Sequence, residues 1–132
     1  MLEKYIFIVA FSFLCSTVTF LFGGWDKLMV ILLVFVIIDY VTGMISATIE
    51  GSLSSRIGFK GIMQKIFIFA LVAIAHLIDL ILGEYHFLRD TTIFFYLSNE
   101  LLSIIENAGR AGVPVPKVLT RAIKLLRDRN NQ

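Results

Sequence analysis

The feature that most limits what this chain can fold into is the stretch from Leu28 to Ile49, LMVILLVFVIIDYVTGMISATI. It is apolar nearly throughout, and as a helix rising about 1.5 Å per residue it crosses a hydrocarbon core of about 30 Å. One ionisable side chain, Asp39, sits near its middle. On a helical projection Asp39, Thr42, Gly43 and Ser46 share a face that Glu50 extends, while Ile37, Val41, Met44, Ile45 and Thr48 lie opposite. An acid beside hydroxyl and small residues, with bulky aliphatics behind, marks a membrane helix that turns one face to protein or water. A carboxylate at that depth costs about 2.5–3.5 kcal/mol on insertion scales. The rest of the chain must place something opposite Asp39.

The remaining sequence is built to match. Of 132 residues 58% are apolar, gathered in blocks rather than stripes, with a mean hydropathy of +0.85. This predicts an all-α integral membrane protein, a single domain over residues 1–132 with almost no extramembrane mass. The formal charge is +2, but its location argues against nucleic acid as a partner. Lys4, Arg56, Lys60, Lys65, Arg110, Lys117, Arg121, Lys124, Arg127 and Arg129 lie between or beyond apolar blocks, leaving only Lys27 and Arg89 in the other connections. That asymmetry is the positive-inside pattern of a multi-pass protein with both termini in the cytoplasm. Cys15, the single cysteine, lies inside an apolar block and has no partner for an intrachain disulfide.

About four short transmembrane helices are expected, at 5–22, 28–49, 66–82 and 91–108, followed by a basic amphipathic surface helix at 117–129. The first ends in bulky residues, Thr19-Phe20-Leu21-Phe22, where a signal peptidase requires small ones, so it reads as a retained anchor. Gly23-Gly24-Trp25-Asp26-Lys27 then forms a tight turn with Trp25 at the interface. The polar segment 50–65 reads as a loop whose Arg56, Lys60 and Lys65 face lipid headgroups. Its glycines do not have the spacing of a nucleotide-binding loop. In the third block His76 and Asp79 are helical neighbours, a polar pair facing the bundle. No further His or Cys stands at a fitting position, so neither a metal nor another cofactor is expected.

The fourth block is the most amphipathic. Thr92, Tyr96, Asn99, Glu100, Ser103, Glu106, Asn107 and Arg110 gather on one side, and Ile93, Phe94, Leu97, Leu101, Ile104, Ile105 and Ala108 on the other. Such a helix crosses with its polar stripe inward or lies in the interface. Charge placement selects crossing, because four spans put the basic segments on one side. Pro114 and Pro116 end it, and Pro116 opens the last helix, whose Arg121, Lys124 and Arg127 face the inner leaflet or a soluble partner.

In this reading the buried charge is lopsided. Asp39, Asp79, Glu100 and Glu106 lie within or at the rim of spans, with only His76 and Arg110 to answer them. The expectation is a homo-oligomer in which polar faces from several copies meet or line a cavity, with Gly43 and Ala47 permitting close helix approach. No nucleophile and base are arranged for catalysis, so the chain is not read as an enzyme.

Several segments together carry a family likeness. They are Asp39-Tyr40-Val41-Thr42-Gly43, Ser54-Ser55-Arg56-Ile57-Gly58-Phe59-Lys60-Gly61, Ala75-His76-Leu77-Ile78-Asp79, Phe94-Phe95-Tyr96 with Asn99-Glu100, Ser103-Ile104-Ile105-Glu106-Asn107, and Pro114-Val115-Pro116. In this order, from about Gly24 to Lys117, the chain resembles the phage holin family that includes toxin-secretion and phage-lysis holins of Gram-positive bacteria and their phages. The resemblance implies a small protein of the bacterial cytoplasmic membrane that oligomerises and permeabilises the bilayer. An endolysin, or a toxin without a signal peptide, is then the released cargo. The family brings no catalytic residues. Competing readings are a non-lytic membrane scaffold that docks a partner through 117–129, and a small ion transporter relaying protons along Asp39, His76 and Asp79.

Overall fold

The computed structural model describes residues 1–130, apart from the side chains of Leu126, Arg127 and Asn130. Five helices follow one another: α1 (Leu2–Phe22), α2 (Lys27–Glu50), α3 (Ser55–Leu82), α4 (Phe87–Arg110) and α5 (Lys117–Asn130). By length and composition α1, α2 and α3 are able to cross a membrane. The all-helical expectation stands. Four spans reduce to three on apolarity alone, because α4 carries too much polar surface to qualify by itself.

Two boundaries differ from the sequence reading. Helix α3 starts at Ser55, not Ile66, so the expected loop 50–65 shrinks to residues 51–54. Ser54 is extended and its hydroxyl accepts from the Ile57 amide at 3.2 Å, an N-cap. Gly58 and Gly61 each lower helix propensity by about 1 kcal/mol relative to alanine, but the Tyr40 ring of α2 lies flat against them. A methyl at Gly58 would stand 3.3 Å from the Tyr40 hydroxyl, and one at Gly61 3.5 Å from its ring. Helix α4 starts at Phe87 rather than Thr91. The Asp79 carboxylate at the end of α3 accepts from the Leu88 and Arg89 amides, both at 2.9 Å, and caps α4 from outside.

Helices α2, α3 and α4 form the bundle. Helix α4 packs along α2 and, less extensively, along α3, while the backbones of α2 and α3 stay further apart and meet through side chains. Helix α1 buries none of its residues and meets the bundle at its last turn, where Phe22 crosses Phe69 edge-on. Gly23 then leaves the helix with φ 72°, and a side chain there would run into His76 Nδ1 at 2.7 Å.

The interior is layered along the bundle axis. At the end holding the α1–α2 and α3–α4 connections lies a polar cluster built on Arg89. Below it Met29, Leu32 and Val36 of α2, Ile68 and Val72 of α3, and Ile93 of α4 form the apolar core. Polar side chains return at mid-depth and continue to the other end, where α2 stops and α3 begins. This second end carries Arg56, Lys60 and Arg110 and is called the basic end below.

Candidate functional site

Lys65 occupies the position that Asp39 demanded. Its ammonium contacts the Asp39 carboxylate directly and also donates to both Glu100 oxygens, at 2.8 and 3.0 Å. The three residues come from three helices, each about 15 Å along its helix from the basic end at ~1.5 Å per residue. Asp39 and Glu100 are both 4% exposed. Lys65 therefore does not face lipid headgroups, which corrects its sequence assignment. The physical reason is the early start of α3. Once Ser55–Leu82 is one helix, Lys65 falls on the stripe of Gly58, Ile68, Val72, Ala75, His76 and Asp79 that faces the bundle.

Asn107 completes the network from α4. Its amide nitrogen lies 2.9 Å from Asp39 Oδ1, 3.1 Å from the Asp39 carbonyl and 3.0 Å from Thr42 Oγ1. Ser46, fully buried, donates to the Asn107 carbonyl at 2.6 Å. Gly43 makes room for this, since a methyl there would touch the Asn107 amide at 3.5 Å. At the basic end Arg110 clamps Glu50 through two parallel bonds of 3.1 and 2.8 Å. Between α2 and α3 a cavity of about 250 Å³ runs from this clamp inward to Asp39 and Lys65, lined also by the three glycines, Ser103 and Asn107.

The expected polar face thus divides. Asp39, Thr42, Gly43, Ser46, Glu100, Ser103 and Asn107 come together around Lys65 and the cavity. Tyr96 packs against the apolar core, edge-on to Phe95. Asn99 is half-buried, and Glu106 is exposed beside a separate cavity shared with Ile123, Lys124 and Asp128 of α5. His76 and Asp79 do not join the network, because the apolar core lies between. Arg56, Lys60 and Arg121 point outward, as does Lys124 at the rim of the α5 cavity. The Arg127 side chain lies outside the described residues.

The polar cluster at the opposite end was not anticipated. Arg89, assigned to a connection, is fully buried in α4, and all five of its N–H groups find oxygens. Nε donates to Phe22 O at 2.6 Å, Nη1 to Asp26 and Asp90 at 3.0 and 2.8 Å, and Nη2 to Asp26 and Gly24 O at 3.0 and 3.2 Å. Asp26 also caps α2 through the Met29 amide. Arg89's guanidinium, hydrogen-bonded to it, holds the Asp26 carboxyl below the usual carboxylate range. His76 meets not Asp79's carboxylate but the His86 ring, centroids 5.4 Å apart. The acids that seemed unmatched therefore have partners within the chain: Lys65 for Asp39 and Glu100, and two α4 amides for Asp79. Among the described residues no group of three or more His, Cys, Asp or Glu is placed to hold a metal.

Three helices long and apolar enough to cross a membrane, packed with α4 around an ion-paired interior, give the chain the character of a helical membrane protein. The chain belongs to the bacteriophage holin family, whose model matches residues 16–128. It is 50% identical over 119 residues to an uncharacterised protein of Halalkalibacterium halodurans, covering 86% of this chain and 88% of that one. An uncharacterised protein of Listeria monocytogenes is 53% identical over 104 residues, covering 79% and 74%. A protein of Bacillus phage phi105 named "probable holin" is 37% identical over 113 residues, covering 86% and 83%. No solved structure matches the chain.

Proposed function

We propose that the chain is a holin that accumulates in the bacterial cytoplasmic membrane, assembles into homo-oligomers and permeabilises the bilayer to an endolysin or a signal-less toxin. The observation that carries this reading is the likeness to the phage protein named "probable holin", which runs through both α2 and α4 and so through the ion-paired interior. In this reading α4 crosses beside α2 and α3 with its polar stripe inward, giving four spans with both termini in the cytoplasm.

Oligomerisation now rests on a different argument from the one the sequence offered. Asp39, Glu100 and Asp79 each find hydrogen-bond donors within one chain, so a missing partner does not drive association. Instead, the polar cavity that reaches Asp39 in a single copy holds only about 250 Å³, and the apolar core closes the bundle beyond it. A protein-sized lesion must therefore form between copies.

The test is inducible expression in a Gram-positive host together with a cytosolic endolysin, following dye entry, lysis and cross-linked species. Abrupt lysis that requires both proteins, with cross-linked ladders, is the expected result. Accumulation in the membrane without leakage of dye or release of endolysin would remove the reading. The relay of Asp39, His76 and Asp79 is not favoured, because the apolar core separates Asp39 from the other two.

A further inference from the structure

We infer that the Asp39–Lys65–Glu100 cluster is a proton-binding site, loaded through the cavity between α2 and α3 and sealed from the opposite end of the bundle.

The charges facing the site come from every element packed against it. Helix α2 presents Asp39, α3 presents Lys65 and α4 presents Glu100. At the cavity mouth Glu50 and Arg110 neutralise each other, and Tyr40 adds a neutral phenol. Lys124 and Asp128 of α5 line a different cavity with Glu106, and α1 contributes no side chain to this one. With both carboxyls ionised the site holds one net negative charge at mid-depth, surrounded by apolar helices. Burying an uncompensated charge costs more than protonating it. One added proton makes the cluster neutral.

The chemistry of the cluster favours the same proton. One ammonium nitrogen holds both carboxyls, so the Asp39 and Glu100 side chains meet at a single point. Two carboxylates repel. A carboxylic acid and a carboxylate attract, because the acid donates. The proton binds to a Glu100 or Asp39 oxygen as an O–H bond pointing at the other carboxyl, and it leaves to water with no other bond broken. The Asn107 amide donates to Asp39 Oδ1, and Ser103 in the cavity lining carries a hydroxyl able to donate or accept.

The cavity gives the proton a route in. The cavity is roomy and polar enough for several waters at about 30 Å³ each, and it reaches Asp39 and Lys65 from the basic end. Toward the other end the buried side chains Met29, Leu32, Val36, Ile68, Val72 and Ile93 are all apolar, with the Tyr96 phenol packed against them, and the polar cavity does not extend among them. The site exchanges protons with one side only.

The test uses the full chain in oriented lipid bilayers, read by infrared difference spectroscopy, and needs no lytic activity. Near neutral pH the wild type should show a protonated-carboxyl carbonyl band. The band should weaken when pH is raised on the side carrying the 51–54 connection, and disappear or shift in Glu100→Gln or Asp39→Asn. Absence of the band in the wild type, or a band untouched by both substitutions, overturns the site. A band that follows only the pH of the opposite side overturns the access route. Failure of lysis in cells leaves this result unchanged, so the two proposals fail separately.

Discussion

Removing the Lys65 ammonium leaves two carboxyls facing each other among apolar helices. Breaking a buried ion pair from one side costs about 3–5 kcal/mol. The Lys65 side chain is 22% exposed, so Lys65→Met should fall toward the lower end of that range in a detergent unfolding titration, whereas Lys65→Arg, which keeps the cation, should retain most of the stability. Arg89 makes a second residue-level prediction. Lysine offers three donors where the guanidinium uses five, so Arg89→Lys should free the turn at Gly23–Asp26, seen as faster amide exchange there. Asp26 sets the pH dependence of this latch. Its folded carboxyl titrates below the unfolded value of about 3.9, so its contribution is present above that value and fades as pH falls through the lower folded one. Acid melting curves should show this loss in the wild type and not in Asp26→Asn. Asp39 and Glu100 were legible as buried acids because a charge inside an apolar run is conspicuous. Lys65 was not, because it stands beside a segment dense in Gly, Ser and Lys that reads as a loop.

At the scale of the element, the boundary of α3 decides how the whole site is read. Ser54 followed by a stretch free of proline is a helix start, and the spacing from Gly58 through Lys65 to Asp79 is helical. Gly58 and Gly61 mask that signal, and only their contact with Tyr40 explains why the helix tolerates them. Ser54→Ala should cost about 1 kcal/mol and fray the first turn, with exchange increasing at Ile57. Asp79 illustrates the opposite limit. Its place on the bundle face was legible, but its role as a cap for α4 depends on the α3–α4 turn bringing Leu88 and Arg89 back to it. Asp79→Ala leaves those amides unpaired at a cost of about 1–3 kcal/mol, and should lower the melting temperature more than Asp79→Asn, which keeps one acceptor.

For the whole molecule, the sequence made the number and order of helices plain, because apolar blocks between glycines and charges leave few alternatives. It left hidden which residues meet across helices, since that depends on α4 lying along α2 while α2 and α3 splay apart. Topology is open to direct measurement. In a Cys15→Ser background, a cysteine at Ser52 should react with a membrane-impermeant thiol reagent from the cytoplasmic side, and one at Glu84 from outside. Labelling of both from one side would exclude an odd number of crossings between them.

The splayed cleft above a dry apolar belt has an electrical consequence. In the proposed four-span orientation, water filling the cleft would carry the potential of the bath inward, and the voltage would drop mainly over the belt of Met29, Leu32, Val36, Ile68, Val72 and Ile93. A charge displaced through that belt would move about 10 Å, roughly a third of the membrane's hydrocarbon thickness, yet traverse most of the field, worth about 2.3 kcal/mol per 100 mV. Widening the belt with Leu32→Ala should therefore flatten the voltage dependence of conductance in planar bilayers, and an unchanged slope would place the field elsewhere.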